Sequence, residues 1–276
     1  DEATRLALTL DACRGGITEE CLQQGLDIME RDGALAAQYW RVACETGDMT
    51  SCVNLGTFHQ TGLGVAQDSV EAARLFRQGC DGGNVIGCTK LGTFHQTGFG
   101  VAQDSVEAAR LYRQGCDGGD AVGCTDLGLL HQQGIGMDPN PTEAARLYRQ
   151  GCDGGDAGGC TGLGILHERG IGMAPDPAAA ARLYGQGCHG GNAIGCTKLG
   201  FLHAEGIGMD PDPAAATALY ARACEMGGAL GCYGFGLYME LGIGTAPDPS
   251  AAQAAYRKAC DLGHEDACAE LTAPGD

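Results

Sequence analysis

The sequence predicts an all-α solenoid of two-helix repeats, on three observations. Sixteen cysteines fall into eight pairs with seven residues between partners. From Cys44 to Cys260 the first member of each pair recurs every 36 residues. Between one pair and the next, the apolar residues follow a helical period interrupted by a glycine-rich turn. A fixed period of this length marks a stacked-repeat architecture and takes precedence over the one or two globular domains that 276 residues would otherwise suggest.

Residues 88–116, CTKLGTFHQTGFGVAQDSVEAARLYRQGC, show one unit, and residues 52–80 nearly duplicate it. Cys88, Leu91, Phe94 and His95 stand at i, i+3, i+6 and i+7, the stripe of a first helix, A. Gly98 and Gly100 suit the left-handed conformation that stops it. Asp104 is the expected N-cap of a second helix, B, whose apolar side carries Val106, Ala109, Leu111 and Tyr112. Later copies read Asn140-Pro141, Asp176-Pro177, Asp212-Pro213 and Asp248-Pro249. Each is a capping residue followed by proline at the first helical position, where a missing N–H costs nothing. A DGGN or DGGD turn follows B, and the next A helix is expected to begin at the following cysteine. Each cysteine pair therefore ties the end of one B helix to the start of the next A helix.

Pairing within C-x7-C gives Cys13–Cys21, Cys44–Cys52, Cys80–Cys88, Cys116–Cys124, Cys152–Cys160, Cys188–Cys196, Cys224–Cys232 and Cys260–Cys268. Structural zinc is the alternative use of regular cysteines, but it favours C-x2-4-C knuckles and the chain has no C-x-x-C. Each disulfide closes a short loop and contributes about 2 to 3 kcal/mol by restricting the unfolded chain. Eight of them imply an oxidising compartment, periplasmic or secreted. DEATRLALTLDAC lacks the basic start and apolar core of a signal peptide, so a leader is expected to have been removed. No stretch approaches the ~18 apolar residues of a membrane span.

Two columns prescribe how units stack. Four residues before each closing cysteine stands an aromatic: Trp40, Phe76, Tyr112, Tyr148, Tyr184, Tyr220 and Tyr256. Four residues after each opening cysteine stands glycine, from Gly25 and Gly56 to Gly236. Glycine costs a helix roughly 1 kcal/mol relative to alanine, so the column marks a close approach of helix backbones, with the aromatic filling the space beside it. Residues 1–43 read as an atypical capping repeat, 44–259 as six regular units and 260–276 as a half-repeat, together a single array.

The pattern L-G-x-x-[YH]-x-x-G-x-G-V followed by D-x-x-x-A-x-x-[YF] resembles the Sel1-like repeat, a relative of the TPR. Its disulfide-paired form resembles the helicobacter cysteine-rich protein family. The resemblance spans Cys13 to Cys268 and implies a right-handed α/α superhelix whose A helices line a concave groove. It also implies use as a bacterial adaptor or binding scaffold outside the cytosol. Some cysteine-rich members are described as β-lactamase-like or penicillin-binding. The chain departs from the family in one column: where tyrosine is usual, it has His59, His95, His131, His167 and His203.

Those histidines invite metal or proton chemistry, but register spaces them one repeat apart, and the bland reading is a tyrosine-like packing position. Of the four serines, Ser51, Ser69, Ser105 and Ser250, none begins S-x-x-K or sits in G-x-S-x-G. HERGI at His167 lacks the second histidine of a zinc hydrolase, and the Gly62-x-Gly64 turn does not continue as a phosphate loop. No catalytic residue, metal or cofactor is expected. With 17 basic against 35 acidic residues, a net charge of −18 and three lysines, a nucleic-acid footprint is absent.

What remains is the groove. Candidate contacts are the positions that vary between repeats: Asn54, Lys90, Asp126 and Lys198 two residues past the opening cysteine, and Gln60, Gln96, Gln132 and Glu168 eight past it, beside the histidine column. The favoured reading is a monomeric scaffold binding a protein, peptide or glycan-peptide partner, basic or cell-wall derived. A β-lactamase-like or penicillin-binding hydrolase and a passive spacer stay open as alternatives.

Overall fold

The computed structural model describes residues 18–272, which contain helices and no strand. They form two compact units. One holds the described residues up to Leu130 together with Gly134–Asp138; the other holds His131–Gln133 and the described residues from Pro139 onward. The A helices are α1 (Thr18–Ile28), α3 (Met49–Thr61), α5 (Val85–Thr97), α7 (Ala121–Gln133), α9 (Ala157–Arg169), α11 (Ala193–Glu205), α13 (Ala229–Leu241) and α15 (Glu265–Thr272). The B helices between them are α2 (Gly33–Glu45), α4 (Ser69–Asp81), α6 (Ser105–Asp117), α8 (Pro141–Asp153), α10 (Pro177–His189), α12 (Pro213–Glu225) and α14 (Pro249–Asp261).

Within the first unit each helix from α1 to α5 packs on its successor, and within the second each from α8 to α14 does the same. Weaker contacts join α9 to α11, α11 to α13 and α12 to α14, and contacts that reach no further than the adjoining repeat are the signature of an α-solenoid. Helices of 13 residues are marginal alone in water. Their stability comes from this stacking.

The A helices start three residues earlier than the cysteine. Asn84, last residue of the DGGN turn, caps α5 by accepting the Gly87 N–H at 3.1 Å; Asp48, Asp156 and Asn192 do likewise in α3, α9 and α11. At the B helices Asp104 accepts the N–H groups of Val106 and Glu107 at 3.0 Å, and prolines 141, 177, 213 and 249 open their helices as expected.

The turn from A to B needs its two glycines for different reasons. Gly98 has φ 76° and donates its N–H to Phe94 O at 2.8 Å, closing α5. Gly100 has φ 73°, and a Cβ there would fall 2.1 Å from the carbonyl oxygen of Ser69, at the start of the preceding B helix. The same seat recurs for Gly136 on Ser105 and Gly208 on Pro177, so each turn rests on the B helix before it.

Seven disulfides join B to A at each described junction, Cys44–Cys52 through Cys260–Cys268, with Cα separations of 4.2 to 4.8 Å. Cys13, and with it the pair Cys13–Cys21, lies outside the described residues. No cysteine among them is free.

Directly over the glycine column lies the aromatic ring. A Cβ on Gly92 would stand 2.8 Å from Cδ1 of Tyr112 and 3.4 Å from the carbonyl of Ala108; Gly56 meets Phe76 and Gly236 meets Tyr256 in the same way. The close partner is thus a side chain, with backbone behind it. One assignment on helix B is corrected: Val106 is 66% exposed, because it stands in the first turn beyond the cover of the neighbouring helix, and Ala108 takes its place in the core beside Ala109, Leu111 and Tyr112.

Gly92→Ala is expected to lower stability by about 1–3 kcal/mol through overpacking, despite alanine's better helix propensity. Urea unfolding of the oxidised protein measures it; an unchanged or higher midpoint would contradict the ring-on-glycine contact.

Candidate partner-binding face

Each A helix turns one stripe outward. In α5 it carries Ile86, Lys90, Thr93 and Thr97, at i, i+4, i+7 and i+11, and all four keep solvent exposure. The residue two past the opening cysteine lies on the aromatic ring of the preceding repeat. Lys90 Nζ stands 5.7 Å from the Phe76 ring centroid. A Cβ at Gly162 or Gly234 would meet the ring of Tyr148 at 2.8 Å or of Tyr220 at 3.2 Å.

The residue eight past the opening cysteine takes the phenol from the same repeat. Tyr112 OH donates to Gln96 Oε1 at 2.6 Å, Tyr148 OH to Gln132 Oε1 at 2.7 Å and Tyr256 OH to Glu240 Oε2 at 2.7 Å. Tyr184 OH donates to Glu168, which also pairs with Lys198 Nζ at 3.2 Å, linking α9 to α11. Two repeats differ. In the repeat of Gln60 the ring is Phe76, which has no hydroxyl, and with Ala204 in place of an acceptor Tyr220 pairs with Tyr238, the rings edge-on at 5.1 Å. Burial pushes the phenols of Tyr112, Tyr184, Tyr220 and Tyr256 above the usual tyrosine range. At Tyr184 and Tyr256 the carboxylate acceptor pushes the same way, since it favours the protonated donor.

The structure therefore brings Gln96, Gln132 and Glu168 together with tyrosines, Lys198 with Glu168, and Lys90 with Phe76. Asn54 is half-buried at the corresponding place in α3, and Asp126, in α7, lies near enough to Tyr112 to raise its pKa further.

The histidines lie half-buried next to the A-to-B turn. Nδ1 of His59 is 3.3 Å from Ala66 O, whereas both ring nitrogens of His95 and Nδ1 of His167 and His203 are buried without a hydrogen-bond partner. His131 occupies the same place in α7. The structural service of this position is rendered by its backbone: His59, His95, His131, His167 and His203 each accept the N–H of the next B helix's cap through their carbonyl, and Met239 does so equally well. No cluster of three or more metal-ligating side chains occurs among the described residues.

Sequence reasoning missed the apolar part of the outward stripe. Ile194, Phe201, Leu230 and Leu241 in α11 and α13 are 59%, 43%, 58% and 60% exposed. A shallow pocket of about 140 Å³ lies between these helices, lined by Ala193, Ile194, Thr197, Lys198, Gly228, Ala229 and Leu230. The signal was available: the place two before the opening cysteine reads Thr50, Ile86, Val122, Gly158, Ile194, Leu230.

Repeated helix pairs with fixed packing columns and a variable outward stripe define a helical-repeat scaffold. The Sel1 repeat model matches residues 14–48, 50–84, 85–120, 121–156, 157–192, 193–228 and 229–264, and the chain belongs to the Sel1 repeat family, in its disulfide-rich form. Among solved structures it is similar to c5321, a protective antigen of uropathogenic Escherichia coli strains with an SLR fold: 28% identity, TM-score 0.71, 94% of this chain and 57% of that one. The chain thus spans little more than half the length of that antigen. A Sel1 repeat protein from Oxalobacter formigenes is 21% identical with TM-score 0.74, over 87% of this chain and 96% of that one. Helicobacter pylori cysteine rich protein B is 24% identical over 44% of this chain and 91% of its own, with TM-score 0.37. No curated protein compared with the chain matches it.

The raised phenols make a pH prediction. A folded-state pKa above the unfolded value of 10.0 gives stability that is fully present below pH 10 and is lost as pH rises through the window above it. Absorbance at 295 nm is expected to report tyrosinate from these four residues only together with unfolding. Their titration near pH 10 with the fold intact, judged by far-UV circular dichroism, would contradict the burial.

Proposed function

We propose that the chain is an extracytoplasmic scaffold that binds a protein or peptide along the outward stripe of its A helices. The carrying observation is the contrast between columns. Residues that stack repeats stay glycine, alanine, aromatic or cysteine, whereas the outward stripe runs from Thr50, Thr57 and Thr61 in α3 to Ile194 and Phe201 in α11 and Leu230 and Leu241 in α13. Large apolar side chains repeatedly left in water, and free of any packing duty, are what a recognition surface supplies.

Seven disulfides support an oxidising location, where such bonds form and persist. No described helix is long and apolar enough to cross a membrane. The net charge of −18 favours a partner with basic residues around its apolar contacts.

A photo-crosslinking amino acid at Thr93 or Phe201 is expected to capture the partner from the native extracytoplasmic extract, while the same group at Arg113 or Arg257, exposed on B helices, captures nothing above background. Equal capture from both faces would sink this assignment. Phe201→Glu with Leu230→Glu is expected to abolish capture while leaving thermal unfolding within about 0.5 kcal/mol, since both side chains are exposed.

A further inference from the structure

Lys90 and Lys198 hold the same place in α5 and α11, two residues past the opening cysteine. Their surroundings differ in what faces the ammonium. Lys198 Nζ lies 3.2 Å from Oε2 and 3.4 Å from Oε1 of Glu168, whose carboxylate is also held by the Tyr184 hydroxyl. At the place of Glu168 in the repeat before Lys90 stands Gln60, and at the place of Tyr184 stands Phe76. The chain thus sets the same lysine beside a carboxylate in one copy and, in the other, pairs its place with a neutral amide.

At the copy without the carboxylate, Lys90 is a half-buried ammonium above a ring face, with no ion pair or hydrogen bond among the described residues. Burial pushes it below the usual lysine range, and the carboxylate of Asp120 offsets this in part. The side-chain amide of Gln60 likewise has no hydrogen-bond partner among them. Ile86 lies four residues before Lys90 on the same outward stripe and is half exposed, at 50%.

We infer that Lys90 and Gln60 form a binding site for a carboxylate carried by a polypeptide partner, which pairs with Lys90 as Glu168 pairs with Lys198 and lies beside the Gln60 amide that stands at Glu168's own place. The site rests on the scaffold reading above. The ligand carboxylate accepts hydrogen bonds from Lys90 Nζ and from the Gln60 amide, whose N–H replaces the missing phenol as second donor. Ile86 offers an apolar contact beside it. Long-range attraction plays no part, because the chain is anionic overall; recognition comes from the short-range pair, and added salt weakens it little.

The chain has three lysines, so reductive methylation with ¹³C-formaldehyde, which keeps the positive charge, gives signals that can be assigned singly in the intact oxidised protein. Two probes are titrated: N-acetylglutamate α-methylamide, with a side-chain carboxylate, and N-acetyl-Ala-Ala, with a chain-terminal one. N-acetylglutamine methylamide is the uncharged control. The Lys90 signal is expected to shift saturably with an acid and not with the control, the tighter acid identifying the source, while Lys198 and exposed Lys258 stay still. Gln60→Glu is expected to weaken the response roughly tenfold or more, because the chain then supplies its own carboxylate. Glu168→Gln is expected to open Lys198 to the same probe. Unmoved signals of the other lysines establish that each variant is folded. A Lys90 response no larger than that of Lys258, or one unchanged by Gln60→Glu, overturns the site. Its failure alongside successful crosslinking from Thr93 removes this site and leaves the scaffold reading standing.

Discussion

The ring of each B helix resting on a glycine of its A helix sets the geometry of everything around it. With no Cβ at Gly92, Tyr112 lies against the helix backbone, and its hydroxyl then ends beside Gln96, one turn further along the same A helix. The far side of the ring is covered by the next repeat, through Lys90 over Phe76 or bare Gly162 over Tyr148. Packing within a repeat, packing between repeats and the polar pattern of the outward stripe therefore share one contact. The cost is a helix-destabilising glycine in each A helix from α1 to α13, roughly 1 kcal/mol each. Burial of a whole ring offsets it, at about 1.5–3 kcal/mol for a large side chain.

The disulfides act on a different problem. Helices of this length do not persist alone, and a polar turn of three residues such as Gly82, Gly83 and Asn84 gives little burial of its own. Bridging Cys80 to Cys88 fixes the reversal between B and A from inside the core, where both cysteines are buried in one cluster with Val53 and Phe76. Beside the next bridge, Cys116–Cys124, Gly115 and Gly123 leave room for Thr89 of the preceding repeat: a Cβ on either would lie 2.3 or 2.7 Å from its hydroxyl oxygen. The staple and the stacking surface are thus adjacent.

Period, caps, turn glycines and cysteine pairing were legible because each is a local rule written in residue type: Asp104 before a helix, Gly98 after one, Pro177 at a first turn. The boundary of the A helices was misjudged because cysteine, the conspicuous residue, is not the cap; Asn84 is. Val106 fits the apolar stripe by period alone, but period does not say how far the neighbouring helix reaches. The phenol contacts to Gln96 and Glu168 span 16 residues across a turn, so they exist only once that turn has a shape. The pairing of Glu168 with Lys198 could have been noticed as opposite charges in facing columns, yet it takes the stacking register to show that the columns face.

The seat of Gly100 on Ser69, repeated at every described turn, has a bearing on how such a chain grows. Each module carries both halves of its junctions: the turn that sits on the previous B helix and the B-helix start that receives the next turn. A module duplicated whole, as the likeness of residues 52–80 and 88–116 illustrates, inserts with its complementarity already made. Length is then free to vary by copying. A change in a facing column is not free, since it alters one partner of a pair whose other member lies in the adjoining copy. Divergence is consequently channelled to the outward stripe, and a newborn repeat can acquire a new binding preference before it acquires any new fold.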